Sequence, residues 1–269
     1  MNQNHQLPYL PSLLALALAI PLAAQPQIGG GTCNSSTLNG TYSLSLTGRD
    51  VNSSVTITNV VQGIGLATFD GLSKVTLTLS NNSNKSFATA QTLSGTYSLQ
   101  SNCIGVVNIN TGDTATFILG SYASGTDFFL TGQDGTYSFI GNGNTQPAGS
   151  CSASQFSGTY AFNGNGFALN SSAVSGTNYI SGLMTFDGVG AATGSWYIAS
   201  GGTSPLVTLT GTFTVSSNCT ATGTLTDAAG NAYALTVTIT NVTTAAGVTN
   251  FVFSGSNAKE MFMGNGRTL

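Results

Sequence analysis

Side chains able to do chemistry are scarce in this chain. There is one histidine, His5, and it lies beside an apolar run that reads as an export signal. With His5 cleaved off, Ser-His-Asp and Cys-His nucleophiles are excluded, because each needs an imidazole as general base. Histidine-ligated zinc is excluded on the same ground. The four cysteines, Cys33, Cys103, Cys151 and Cys219, are expected to be oxidised, hence neither nucleophiles nor metal ligands. Asp70 and Asp187 each precede a glycine in a hairpin-turn signal and read as turn formers. Asp113 and Asp227 read the same way. Asp127 is matched by Asn250 in the second half, Asp134 and Glu260 stand alone, and no spacing suggests a glycosidase pair. Lys74, Lys85 and Lys259 read as solvated guards of strands and loops. The Asp/Asn/Gly-rich stretch 125–134 lacks the D-x-D-x-D-G pattern of a calcium loop. The expectation is no catalytic residue, no metal and no cofactor: a protein that is not an enzyme.

Composition narrows the field further. Of 269 residues only 5% are charged, against a usual ~25%, and the net charge is −3. Five Lys and Arg cannot build a groove that tracks phosphates, so nucleic acid is excluded as a partner. The shortage of Glu, Lys and Arg argues against long helices. Hydrophobic residues make up 41%, which argues against disorder. Residues 1–24 read as a signal peptide: Leu10 to Ile20 is apolar, Pro21 breaks the run, and Ala23-Ala24 offers a small-residue cleavage site. The run is shorter than the ~20 residues a transmembrane helix needs. Residues 25–32 then form a linker, and the expected location is secreted, cell-surface or periplasmic. Export permits disulfides.

The elements that must position these residues come in two matched sets. Gly40-Thr41-Tyr42 is matched by Gly158-Thr159-Tyr160, and Thr68-Phe69-Asp70-Gly71 by Thr185-Phe186-Asp187-Gly188. Ser101-Asn102-Cys103 is matched by Ser217-Asn218-Cys219, and Gly141-Asn142-Gly143 by Gly264-Asn265-Gly266. With Thr126-Asp127-Phe128-Phe129-Leu130-Thr131-Gly132 matched by Thr249-Asn250-Phe251-Val252-Phe253-Ser254-Gly255, five ordered matches at a nearly constant offset indicate a tandem duplication, with domains at 33–144 and 151–269 and a turn-rich linker at 145–150. Each domain owns two cysteines at matching places, which selects Cys33–Cys103 and Cys151–Cys219 from the three pairings that four cysteines allow.

Within each domain, period-2 alternation dominates. From Val207 to Val215 an apolar face of Val207, Leu209, Phe213 and Val215 opposes Thr208, Thr210, Thr212 and Thr214. Such strands bury one face and solvate the other, as antiparallel sheets do. About eight short strands per domain, joined by short turns, predict an all-β fold of two tandem up-and-down barrels after a signal-peptide helix, with β-sandwiches as the runner-up. A single sixteen-stranded outer-membrane barrel is disfavoured by the duplicated cysteines and by the lack of aromatic girdles. The lone tryptophan, Trp196, shares the inward face of Ala192 and Gly194, where two small residues beside a large ring could pack simply or open a ligand cavity.

The Gly-Thr-Tyr, Thr-Phe-Asp-Gly and Ser-Asn-Cys repeats together resemble a repeat found in secreted, uncharacterised proteins of soil bacteria, which brings no activity with it. An eight-stranded meander opened by Gly-x-aromatic also resembles the calycin group, which includes lipocalins. That group's opening motif normally carries Trp where this chain has Tyr42 and Tyr160, so the resemblance implies architecture only. The functional expectation is extracellular binding or surface structure, with a cell-surface component as partner. The alternative is a calycin-like carrier of a small apolar ligand, held chiefly in the second barrel.

Overall fold

The computed structural model describes residues 31–50, 57–84, 86, 89–112, 114–171, 173–243 and 247–269. The expected signal peptide with His5, and also Lys85 and Asp113, lie outside these residues. The first eight strands are β1 (Asn39–Asp50), β2 (Val60–Asp70), β3 (Lys74–Ser83), β4 (Thr89–Leu99), β5 (Ile104–Ile109), β6 (Ala115–Ser121), β7 (Asp127–Gln133) and β8 (Tyr137–Thr145). The second eight are β9 (Ser157–Asn170), β10 (Ala173–Asp187), β11 (Ala191–Ser200), β12 (Leu206–Val215), β13 (Thr220–Asp227), β14 (Ala232–Thr243), β15 (Gly247–Ser256) and β16 (Glu260–Thr268). Each set is an antiparallel meander that closes on itself, β8 onto β1 and β16 onto β9. The architecture is therefore two closed up-and-down barrels, neither a pair of sandwiches nor one sixteen-stranded wall. Apolar side chains fill both interiors, and threonines pair across the outer wall, as at Thr210–Thr226 and Thr212–Thr224. That polarity is the reverse of a lipid-facing barrel.

The Gly-Thr-Tyr, Thr-Phe-Asp-Gly and Ser-Asn-Cys motifs meet at one end of each barrel and close it. Tyr42 and Tyr160 point inward, and their hydroxyls donate to buried carbonyls, Gly125 O at 2.8 Å and Val248 O at 3.0 Å. Burial pushes the Tyr160 phenol up to about 12. Phe69 and Phe186 meet these rings edge-on at 5.6 and 5.7 Å. The following aspartates tie the hairpin turn. Asp70 Oδ1 accepts the N–H groups of Leu72, Ser73 and Lys74, each at 2.8 Å. Asp187 Oδ1 does the same for Val189, Gly190 and Ala191. Cys103 and Cys219 take the left-handed conformation, with φ of 66° and 62°, in the β4–β5 and β12–β13 turns. From there they reach Cys33 and Cys151, closing loops of 70 and 68 residues. Each closure is worth ~4 kcal/mol in the chain-entropy model. Two intrachain disulfides indicate folding in an oxidising compartment.

The barrels pack side by side. The outer faces of β1, β2 and β3 lie against β14, β15, β16 and the far end of β9. Val60 is buried with Phe167, Leu169 and Met261, and the Arg49 guanidinium sits 5.6 Å from the Phe167 ring centroid. Polar pairs complete the contact. Asn82 donates to Ser254 Oγ at 3.3 Å and accepts from Ser256 Oγ at 3.0 Å. Thr236 Oγ1 donates to Ser80 Oγ at 3.2 Å, and Gln62 Nε2 to Asn165 O at 3.3 Å.

Candidate binding groove between the barrels

A carrier would hold its ligand inside a barrel. Ala192, Gly194 and Trp196 lie on the inward face of β11, but they leave no ligand-sized space. The indole is buried and meets Tyr233 and Phe262 edge-on, both at 5.1 Å. A Cβ on Gly194 would run into the Leu183 carbonyl and Met184 Sδ, so this glycine serves close strand approach. The void beside Trp196 is about 10 Å³, room for at most one water. The larger interior space is in the first barrel, about 100 Å³ at the mouth opposite the disulfide. Register explains the reversal. Gly63, Leu79 and Ala115 stand where the second barrel has Ile180, Trp196 and Tyr233. Even that space falls below the ~300 Å³ at which pockets for small ligands begin.

The acids do not assemble into a reactive pair. Asp70 and Asp187 sit in corresponding turns of different barrels. The Lys74 and Leu72 N–H groups hold Asp70 below the usual carboxylate range, and those of Val189 and Ala191 do so for Asp187. Burial works to raise Asp227, but bonds from the Asn231 side chain and from the Asn231 and Ala229 N–H groups leave it low. Asp134 accepts from Thr136 N and Tyr137 N at 2.6 Å, the turn role that Asn257 plays toward Lys259 and Glu260. Glu260 alone is largely buried, and desolvation raises its carboxyl. It bonds Asn178 Nδ2 at 3.2 Å and the Tyr233 hydroxyl at the mouth of the second barrel. The sequence held this signal, because Glu260 lies in phase with inward-facing Phe262. Among the described residues no three His, Cys, Asp or Glu cluster to hold a metal.

A concave surface with a volume of about 660 Å³ lies between the barrels. Asparagine amides line it from both sides: Asn142 and Asn144 on β8, Asn165 on β9, Asn265 on β16, Asn250 on β15. The Gly-Asn-Gly repeats build this directly. Alternation turns the glycines inward, where the rings of Phe128 and Phe251 occupy the space that a Cβ on Gly143 or Gly266 would need. The intervening asparagines then face out. On the first wall the polar groups are ordered in a chain: Ser45 Oγ donates to Asn142 Oδ1 at 2.9 Å, and Asn142 Nδ2 to Asn144 Oδ1 at 3.4 Å. Asn144 Nδ2 in turn donates to Asp127 Oδ1, and Thr126 Oγ1 to Asp127 Oδ2 at 2.9 Å. Arg267 supplies the opposing charge. Each amide offers a donor and an acceptor in one plane, so the groove suits a ligand that does both at every position. The triplets served in the sequence only as markers of duplication. Nothing there showed that barrel packing would bring β8 and β16 to opposite walls of one groove.

No protein-family model matches the chain, and no curated protein matches it significantly. The functional reading therefore rests on this geometry.

Proposed function

We propose that this is an exported, non-catalytic binding protein whose inter-barrel groove takes a neutral, hydroxyl-rich chain, such as a saccharide of a cell surface. The carrying observation is the groove of about 660 Å³ lined by asparagine from both barrels. A hydroxyl, like a primary amide, both donates and accepts, so successive sugar hydroxyls can pair with successive side chains. The disulfides support export, and the commitment of Asp70, Asp187, Asp227 and Asp134 to their own turns supports the absence of catalysis. The alternative, an interior carrier, would need more space than about 100 Å³ and about 10 Å³ provide.

The test is affinity electrophoresis of the mature protein through gels holding neutral or charged polysaccharides. Retardation by a neutral polysaccharide is expected, weakened about tenfold or more by N142L or N265L, one change on each wall. Retention only by charged polysaccharides, or equal retention of both variants, would overturn the proposal.

A further inference from the structure

The duplication makes a specific demand of the surface. The internal contact joins the β1–β3 side of the first barrel to the β14–β16 side of the second and the far end of β9. Each barrel carries both kinds of side, because each copy of the repeat has all eight strands. Two sides therefore take no part in that barrel–barrel contact: β10–β11 on the second barrel, equivalent to β2–β3, and β6–β8 on the first, equivalent to β14–β16, whose β8 edge borders the groove. Exposed large apolar residues concentrate on these two sides.

On the β10–β11 side, Tyr179 is 60% exposed and Tyr197 52%, with Leu183 and Leu206 beside them. By strand register, Tyr179 stands where the first barrel has Gln62, Leu183 where it has Leu66, and Tyr197 where it has Ser80. Gln62 and Leu66 are buried in the first barrel, and Ser80 bonds across the internal contact. On the β6–β8 side, Ile140 is 69% exposed and Phe129 52%, with Ile118 also exposed. Their counterparts are Met263, Val252 and Thr236. Thr236 is the partner of Ser80. The pair that meets inside one chain, Ser80 and Thr236, thus has its counterparts, Tyr197 and Ile118, left bare and apolar at the two ends.

We propose that the β10–β11 side of one copy docks on the β6–β8 side of the next, repeating the internal barrel–barrel contact between chains. The occupant is a second copy because the contact geometry already exists within the molecule. The change in side-chain character fits this assignment. The internal contact is tethered by a short linker, so effective concentration lets it tolerate polar pairs such as Ser80–Thr236. An untethered contact has no such help and needs apolar area, which Tyr197 facing Ile118 supplies. No Lys, Arg, Asp or Glu lies in β11 or in β10 before Asp187, so no like charge opposes docking. The used and unused sides are centred about three strands apart around each wall; in the first barrel they adjoin at the β1–β8 pair, so the next copy sits beside the groove. Such a contact is heterologous, so it propagates as a filament or a large ring and does not stop at a dimer.

The experiment uses the mature, disulfide-bonded protein. Sedimentation equilibrium should show a weight-average mass that climbs past the dimer as concentration rises. Y197K should move that association to concentrations about tenfold higher or more. The double variant I118C/Y197C, mixed and oxidised, should give a ladder of dimers, trimers and higher species on a non-reducing gel, whereas either single variant should yield dimers at most. A monomer at all concentrations, an assembly that ends at the dimer, or a double variant without trimers would each overturn the proposal.

Discussion

Replacing Trp196 with alanine tests whether the second barrel is filled. The indole is buried among Phe162, Tyr233 and Phe262, with a void of about 10 Å³ beside it. Truncation leaves a further cavity on the order of 140 Å³; at ~24 cal/mol per Å³ this costs ~3 kcal/mol, within the ~3–5 kcal/mol seen when large aromatics are cut to alanine. The wall cannot collapse inward cheaply, because β11 is held on both edges by β10 and β12. Urea denaturation followed by far-ultraviolet circular dichroism, with disulfides intact, should show the midpoint of the affected transition fall by about 1 M or more. Free indole, saturating the new cavity, should restore part of the loss, up to ~2.7 kcal/mol at a hundredfold excess over its dissociation constant. A loss under ~1 kcal/mol, with no response to indole, would mean that Trp196 borders open space, and the filled-barrel account would fail.

Acid titration separates two kinds of carboxylate. Burial raises Glu260, so the native state binds that proton more tightly than the unfolded chain does. Stability should therefore fall as pH climbs from the unfolded value of ~4.3 through the raised native one, and E260Q should flatten that fall. Asp70 and Asp187 are held low by turn N–H groups, so their contribution is present above ~3.9 and disappears as pH drops through their native values. Urea midpoints measured from pH 2 to 8 should peak in the acid range; a curve rising monotonically to pH 8 would contradict the Glu260 assignment. Glycines at two places should behave differently. A Cβ at Gly211 would collide with the Thr224 carbonyl of the neighbouring strand, whereas Gly230 needs only its φ of 82° and faces open space. Thermal melts should show G211A costing more than ~2 kcal/mol and G230A about 1 kcal/mol; equal effects would refute the close-approach reading.

Much of the fold was legible because it is local. Alternation such as Val207 to Val215 fixes which face is buried, Asp70-Gly71 and Asp187-Gly188 fix the turns, and duplicated cysteines fix the staples. These patterns need only nearest neighbours in the sheet. The groove was not legible because it depends on how one closed barrel rests on another. That contact is built from polar residues such as Gln62, Asn82 and Ser254, which no local pattern sets apart from solvated ones. Glu260 was overlooked as a lone acid, although its phase with Phe262 places it inward. The choice between simple packing and a cavity beside Trp196 was not legible for a related reason. Small residues such as Gly194 leave space only when strands stay at ordinary separation, and here the backbone takes up the room. The same distinction separates the repeated motifs from the functional surface. Gly-Thr-Tyr, Thr-Phe-Asp-Gly and Ser-Asn-Cys all close the barrel end, so repetition marked the scaffold. Only the outward asparagines of Gly-Asn-Gly reach the groove.

The side-chain amide resonances of the mature protein, followed by nuclear magnetic resonance during titration with a neutral oligosaccharide, report on the groove directly. Binding there predicts shifts concentrated in the Nδ2 groups of Asn142, Asn144, Asn165 and Asn265, with the indole resonance of Trp196 unmoved. Shifts centred on Trp196, or on the first-barrel mouth around Asn81 and Gln91, with the groove amides silent, would contradict it.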